Sequence, residues 1–442
     1  MTCRTRHGFT MPARITQGHA IPEREVEPMS DAPQNAARWA YLRSQVPAME
    51  RTTYLNAGFI GPMSNQVAKA FRDRFDLEVT WGPTTRSVSE DRMAITTRLK
   101  EAGARMFGCD VDELAITGNT TEGVNIAVNG VEMRPGDRVV TTNIEHGGGL
   151  MPAYRLREHG AELAFARIDA EDGPGAIVER FDEALGDRAR LVILSEISFS
   201  TTQVLPVREI VQMAHERGAT VVVDGAQTAG HIPLNMHAMD VDAYAIPSHK
   251  WLCGPGGMGL LYVKRDRIPD LEPVKVSGRY AASYDYEGKF EPKRDAVTKF
   301  EVSTMSSPAA AGMAAAMEQY LESGPQAHWD YVRWLNIEVE RRLSTIPGVE
   351  LTGARQEATR SGLFLFRLRG TDPAHLAYYL QAEGGIVCRS VKQMDSVRLS
   401  LNAYNNTTDL DRVAEYVERA AMKGIPVAVL EAARAAAGPV EA

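Results

Sequence analysis

The sequence is poor in cysteine: Cys3, Cys109, Cys253 and Cys388 stand far apart, and none belongs to a C-x-x-C pair. Neither a disulfide framework nor a thiolate metal site is therefore expected, and no metal ligand set is assigned. The usage suits a reducing cytoplasm. No apolar run approaches the roughly 18 residues of a membrane helix, and no apolar stretch near the start reads as a signal peptide. A membrane partner is not expected. A basic stripe is missing too: net charge is -8 with Lys and Arg dispersed, which argues against nucleic acid as a partner. There is no G-x-x-x-x-G-K-[ST] run to cradle a nucleotide phosphate, no internal repeat and no low-complexity tract. What remains is the composition of an ordinary globular protein, 44% hydrophobic and 24% charged, in a 442-residue chain long enough for a large core.

Residues 1–38 mix Arg, His, Pro and Glu without hydrophobic period and read as a disordered extension, with Met29 as an alternative start. From about Arg138, apolar runs alternate with helical patterns: "DRVVTTNI", "AELAFARI", "ARLVILSEI", "ATVVVDGAQ" and "VDAYAIPSHK". Parallel strands need crossover connections, so this alternation predicts an α/β fold with a mostly parallel sheet over residues 39–300. Beyond Phe300 come Ala-rich and charged helices, then "GLFLFRLRG" and "SVRLSLNAY" with a helix between them. That pattern predicts a smaller C-terminal α+β domain over residues 301–442.

The stretch "SHKWLCGPGGMG" (residues 248–259) holds G-x-G-x-x-G, a match to a dinucleotide loop. Such a loop opens a helix, because the pyrophosphate sits on that helix's N-terminus. Here "LLYVKRD" follows, a strand-like run, and the match fails its context. Lys250 offers a better chemistry. "ATVVVDGAQ" ends a buried strand in Asp224, and the next strand delivers Lys250 to the same rim, where open α/β sheets bind ligands. An amine can form an imine with the aldehyde of pyridoxal 5'-phosphate (PLP), and a carboxylate can keep its pyridine nitrogen protonated. Asp224 alone would equally suit a Mg²⁺ site of a P-loop enzyme, but the phosphate cradle for that reading is missing.

Gln227, one turn beyond Asp224, is a candidate for the ring's phenolic oxygen. In "ITGNTTEGVNIAV", a strand end, a Gly and two threonines precede a helical run, so Thr120 and Thr121 either bind an anion or, for Thr120, cap the helix. His146 follows another strand and is a candidate to stack on the pyridine face. No second His or Cys stands at metal-ligand spacing beside it.

These residues resemble the fold-type I PLP enzymes of aminotransferase class V, a family that includes cysteine desulfurases and isopenicillin N epimerase-like proteins. The resemblance runs from "YLNAGFIGPM" to "VRLSLNAYNNTTDLDRV" and rests on "GNTTEG", "IEH", "VVVDGAQTAGHIPLN", "SHKW" and "VRLSLNAYN". It implies a PLP-dependent transferase fold with a seven-stranded type of sheet. It further implies Lys250 as the Schiff-base lysine, Asp224 as the pyridinium partner, Gln227 at the phenolic oxygen and His146 stacked on the ring. Thr120, Thr121, Ser248 and His249 resemble the phosphate binders, and Arg398 the clamp of a substrate α-carboxylate, with a structural ion pair as its alternative. Thr304 resembles a residue that reaches the neighbouring subunit's phosphate, which implies a homodimer with shared active sites.

Three departures bear on function. "GIVCRSVKQMDSVRLS" is shorter than the desulfurase loop and lacks its cysteine, with Cys388 on the strand instead. Phe199 stands where many relatives place Asn, and Ser248 is one residue nearer the lysine than the desulfurase serine. The expected function is an aminotransferase acting on an α-amino acid, with carbon–sulfur β-elimination as the nearest alternative, epimerisation on the same scaffold as another, and PLP binding without turnover as the most distant. Trp81, Arg279 and Tyr280 are further candidates to line a pocket.

Overall fold

A computed structural model describes residues 35–436. Met29 and most of the expected N-terminal extension lie outside the described residues. Helix Ala36–Ser44 begins before the expected limit at residue 38, because Trp39 has a partner to bury against: its ring stacks on Tyr331 at 5.0 Å.

Seven strands form the main sheet: β1 (Leu114–Thr117), β2 (Arg138–Thr142), β3 (Glu162–Ala166), β4 (Ala189–Ser195), β5 (Thr220–Asp224), β6 (Ala243–Pro247) and β7 (Gly259–Val263). Their spatial order is β1-β7-β6-β5-β4-β2-β3. All pairs from β6 to β3 are parallel, whereas β7 runs antiparallel to both β6 and β1. Every residue of β5 and β6 is buried, as expected of β-branched and aromatic runs with helices on both faces. The α/β expectation with a mostly parallel sheet is met. The glycines before β7 lead into a strand and not a helix, which removes the dinucleotide reading.

A second, four-stranded antiparallel sheet comprises β8 (Val349–Leu351), β9 (Leu363–Leu368), β10 (Arg389–Val391) and β11 (Ser396–Ser400) in the order β8-β9-β11-β10. Helices Pro325–Leu343, Pro373–Gly384 and Thr407–Lys423 share its core through Leu335, Leu380 and Val413.

Side-chain packing divides the chain otherwise than at residue 300. Helix Ser307–Ser323 buries Ala310, Met313 and Met317 in the core of the main sheet, while Trp39 and Leu55 belong to the C-terminal core. The reason is apolar area: an Ala-rich helix packs closely on two other long helices, Asn65–Trp81 and Arg86–Phe107, whatever its place in the sequence. The N-terminal segment is tied to the C-terminal sheet by main-chain bonds, Leu55 N to Val387 O at 2.9 Å and Ser400 N to Leu55 O at 2.8 Å.

Candidate active site

The carboxyl ends of the parallel strands open onto a cavity of about 450 Å³. Into it the fold brings Thr120, Thr121, His146, Asp224, Gln227, His249, Lys250 and Arg398. Ser248 and Thr304 do not line it. Ser248 is fully buried, its Oγ without a hydrogen-bond partner and close to Gly254. The chain bends on leaving β6 at Pro247, and that bend presents His249 and Lys250 to the cavity while Ser248 stays inside. Thr304 lines a separate cavity of about 520 Å³ together with Arg92 and Arg279. Trp81 and Tyr280 line neither cavity.

Lys250 sits in the bend between β6 and β7. Ser248 N–H donates to Met258 O at 2.9 Å, Cys253 N–H to Lys250 O at 2.9 Å and Gly254 N–H to Ser248 O at 3.0 Å. Gly61 closes over this bend, with its N–H donating to His249 O at 2.8 Å. A Cβ on Gly61 would meet Lys250 O at 2.2 Å, so only glycine allows that approach. Burial lowers the Lys250 ammonium to about 8, against the opposing pull of Asp224 and with help from Arg398 and Arg389. An amine so placed is neutral in appreciable amount near physiological pH.

Asp224 ends β5 and is buried, with Oδ1 accepting from Ala226 N–H at 2.8 Å. Gln227 is oriented from both sides: Nε2 donates to Gly58 O at 2.9 Å, and Oε1 accepts from Trp251 Nε1 at 2.7 Å. One N–H of its amide remains for a ligand. His146 caps helix Gly147–Glu158, its Nδ1 accepting from Gly148 N–H at 3.1 Å, and meets Phe199 edge-on at 5.3 Å. Partial burial, then Lys250, lowers its pKa.

Asn119, and not Thr120, caps helix Thr120–Gly130: its Oδ1 accepts from Glu122 N–H at 2.9 Å. Thr120 Oγ1 is buried without a partner, as is His249 Nδ1. Buried polar atoms are rarely left unpaired; Thr120 starts a helix whose N-terminus opens onto the cavity, and His249 lines the same cavity. The donor set fits a phosphate. Arg398 is 1% exposed. Its Nη1 donates to Phe199 O at 3.1 Å, and Nε and Nη2 have no partner. No carboxylate pairs with it among the described residues, so the structural ion pair offered as its alternative is not formed.

Sequence reasoning missed Phe59, Asn119 and Arg389 as lining residues. Asn119 carried a signal, since an Asn one residue before a helical run is a preferred cap. Arg389 carried none in one dimension, because its place follows from strand pairing. Cys388 lies buried between two short strands and outside the cavity. Elsewhere Asp110, Glu113 and His237 place three possible metal ligands within 4.8 Å of one another, but Arg265 already pairs with Asp110 and His237 with Glu113.

An aminotransferase class-V profile matches residues 66–413. A probable cysteine desulfurase of Methanothermobacter thermautotrophicus is 29% identical over 402 residues, covering 87% of this chain and 98% of the relative. One from Chlamydia muridarum is 30% identical over 348 residues, covering 75% and 85%. Among solved structures, the cystine C-S lyase C-DES in complex with cysteine persulfide superposes with a TM-score of 0.79 at 26% identity, covering 85% of this chain and 99% of that one. A lysine-to-alanine mutant of the same lyase is also known with glycine covalently linked to its PLP cofactor. The cysteine desulfurase CsdA of Escherichia coli gives a TM-score of 0.79 at 25% identity, covering 88% and 99%. With a cavity that offers an amine, a carboxylate and an unpartnered hydroxyl at a helix N-terminus, this chain belongs to the aminotransferase class-V family of PLP-dependent, fold-type I enzymes.

Proposed function

We propose that the protein is a carbon–sulfur lyase that cleaves the Cβ–S bond of a sulfur-bearing α-amino acid by β-elimination. The observation that carries this reading is a cavity with the lysine, the aspartate and a free arginine but no thiol among its described lining residues. The described cysteines are unsuited to attack sulfur, since burial pushes both Cys253 and Cys388 up to about 12. The relatives named cysteine desulfurase and the similarity to a cystine C-S lyase favour sulfur chemistry over the amino-group transfer that the sequence pattern put first.

In this reading Thr120, Thr121 and His249 hold the cofactor phosphate, Asp224 its ring nitrogen, Gln227 its phenolic oxygen, and His146 covers the ring face. PLP, when bound, draws into its ring the electron pair left at Cα after proton loss. Arg398 fixes the substrate α-carboxylate through Nε and Nη2, which orients the Cα–H bond. Lys250 Nζ, biased toward the neutral form by its surroundings, takes the Cα proton. The Cβ–S bond then breaks with its electron pair leaving on sulfur. Phe199, which lines the cavity beside His146, offers an apolar surface there.

Two further parts of the reading concern setting. Cys109, Cys253 and Cys388 are free thiols, which supports a cytoplasmic location, and no helix among the described residues is long and apolar enough to cross a membrane. A homodimer is supported by Thr304, which lines a cavity apart from its own chain's site, and by Phe75 and Val79, four residues apart on one helix and both exposed.

Incubation of the PLP-loaded enzyme with L-cysteine and L-cystine separates the chemistries. β-Elimination releases pyruvate and ammonia in equal amounts, and Lys250→Ala abolishes both. Alanine as the product would identify desulfuration, and an amino acid formed only on addition of a keto acid would identify transamination; either overturns the lyase reading.

A further inference from the structure

Arg389 and Arg398 are direct partners across the antiparallel strands β10 and β11, so their side chains leave the same face of the sheet. Like charges directly opposite one another destabilise a strand pair, and among the described residues no carboxylate pairs with either of these. No ion pair involves either guanidinium among the described residues, and Asp224 is the one acid among the cavity's lining residues. Arg398 keeps two buried nitrogens unpartnered. Arg389 lies with its guanidinium 4.7 Å from the centroid of the Phe59 ring, and its Nε donates only to Ser390 O, at 3.3 Å. Phe59 and Arg389 both line the cavity.

A single α-carboxylate balances one of these charges and leaves the other. A ring face is a flat seat that holds a guanidinium in place without consuming its donors, which remain available for a planar oxyanion. We propose that Arg389 receives a second anionic group at the far end of the substrate's side chain, so that the preferred substrates are α-amino acids whose side chain ends in a carboxylate or an equivalent oxyanion. This assignment rests on the reading that Arg398 holds the α-carboxylate in this cavity. It gives Arg389 a part in specificity and no part in the bond-breaking step.

The test separates recognition from chemistry. Calorimetry on the PLP-loaded enzyme compares glutarate with butyrate, which share one carboxylate and a three-carbon chain, differ by the second carboxylate and undergo no reaction. Glutarate should bind about tenfold tighter, the scale of one charge-assisted hydrogen-bonded pair. Arg389→Gln should erase that difference while leaving butyrate within about twofold, and Arg389→Lys should restore part of it. Equal weakening of both acids by Arg389→Gln would mean that the two arginines share one carboxylate, and equal binding by the wild type, or none of either acid, would also overturn the proposal.

A kinetic arm uses S-carboxymethylcysteine and S-ethylcysteine. Arg389→Gln should raise KM about tenfold for the first and leave that of the second within about twofold, while any change in kcat, from losing a charge that helps hold Lys250 down, is shared by both substrates. Because the calorimetry reads no product, it holds or fails independently of the lyase reading. Retention of the bound cofactor's absorbance by the variants shows that they remain folded.

Discussion

Lys250 and Thr120 illustrate two ways in which a side chain is prepared for a ligand. The lysine is prepared electrostatically, with burial holding its ammonium down to about 8. The threonine is prepared by omission: its buried Oγ1 has nothing to bond. A buried hydroxyl with no internal partner costs its desolvation without return, so Thr120→Val should leave the thermal midpoint of the apoprotein unchanged or raise it. The same substitution should weaken PLP binding by about tenfold, measured by absorbance titration of the apoprotein. A lower midpoint with unchanged affinity would show that the hydroxyl is structural. The roles proposed for Lys250 and Asp224 could be anticipated because each ends or follows a strand-like run, and strand ends meet at one rim, whereas Arg398, in the middle of β11, is reached only through the resemblance carried by "VRLSLNAYN". Arg389 could not, since nothing in "GIVCRSV" says which residue faces Arg398 until the two strands are paired.

At the scale of elements, the turn that follows β5 governs the site. Gly225 comes directly after Asp224, and a Cβ there would lie 2.1 Å from Tyr244 Cε1 and 2.9 Å from Ala245 O. Tyr244 cannot retreat easily: its hydroxyl is bonded to Thr228 at 2.6 Å and to Glu196, and the residue is fully buried. Gly225→Ala should therefore cost about 1–3 kcal/mol of stability and displace Asp224, so that both the denaturation midpoint and the turnover fall. A variant with unaltered midpoint would disprove this account of the turn. The strands themselves were legible, because parallel strands buried on both faces read as unbroken apolar runs. Helix Ser307–Ser323 was legible as a helix but not by partner. Its Ala-rich composition reports that it packs closely and says nothing about which sheet it packs on.

Over the whole molecule, buried titrating groups set opposed pH dependences. Burial pushes His231 and His328 down to about 3 from an ordinary 6.5. His231 is held neutral between Gly362 N–H, which donates to Nε2, and Gln227 O, which accepts from Nδ1. The stability these histidines contribute is full above 6.5 and is lost as the pH falls toward 3. Burial also raises Glu145 and Glu196 to about 7 from 4.5, so their contribution is full below 4.5 and is lost as the pH rises toward 7. The urea midpoint of the apoprotein should accordingly peak between about pH 4.5 and 6.5, and Glu145→Gln should flatten its upper side. A midpoint that climbs steadily through neutrality would contradict this balance.

The bend that carries Lys250 is stitched across its neck and wedged beneath Gly61. Its amine thus rides on a taut arch and not on a swinging tether. Conformational freedom of that backbone is surrendered once, when the chain folds, and need not be surrendered again each time a coenzyme docks or a substrate takes the lysine's place.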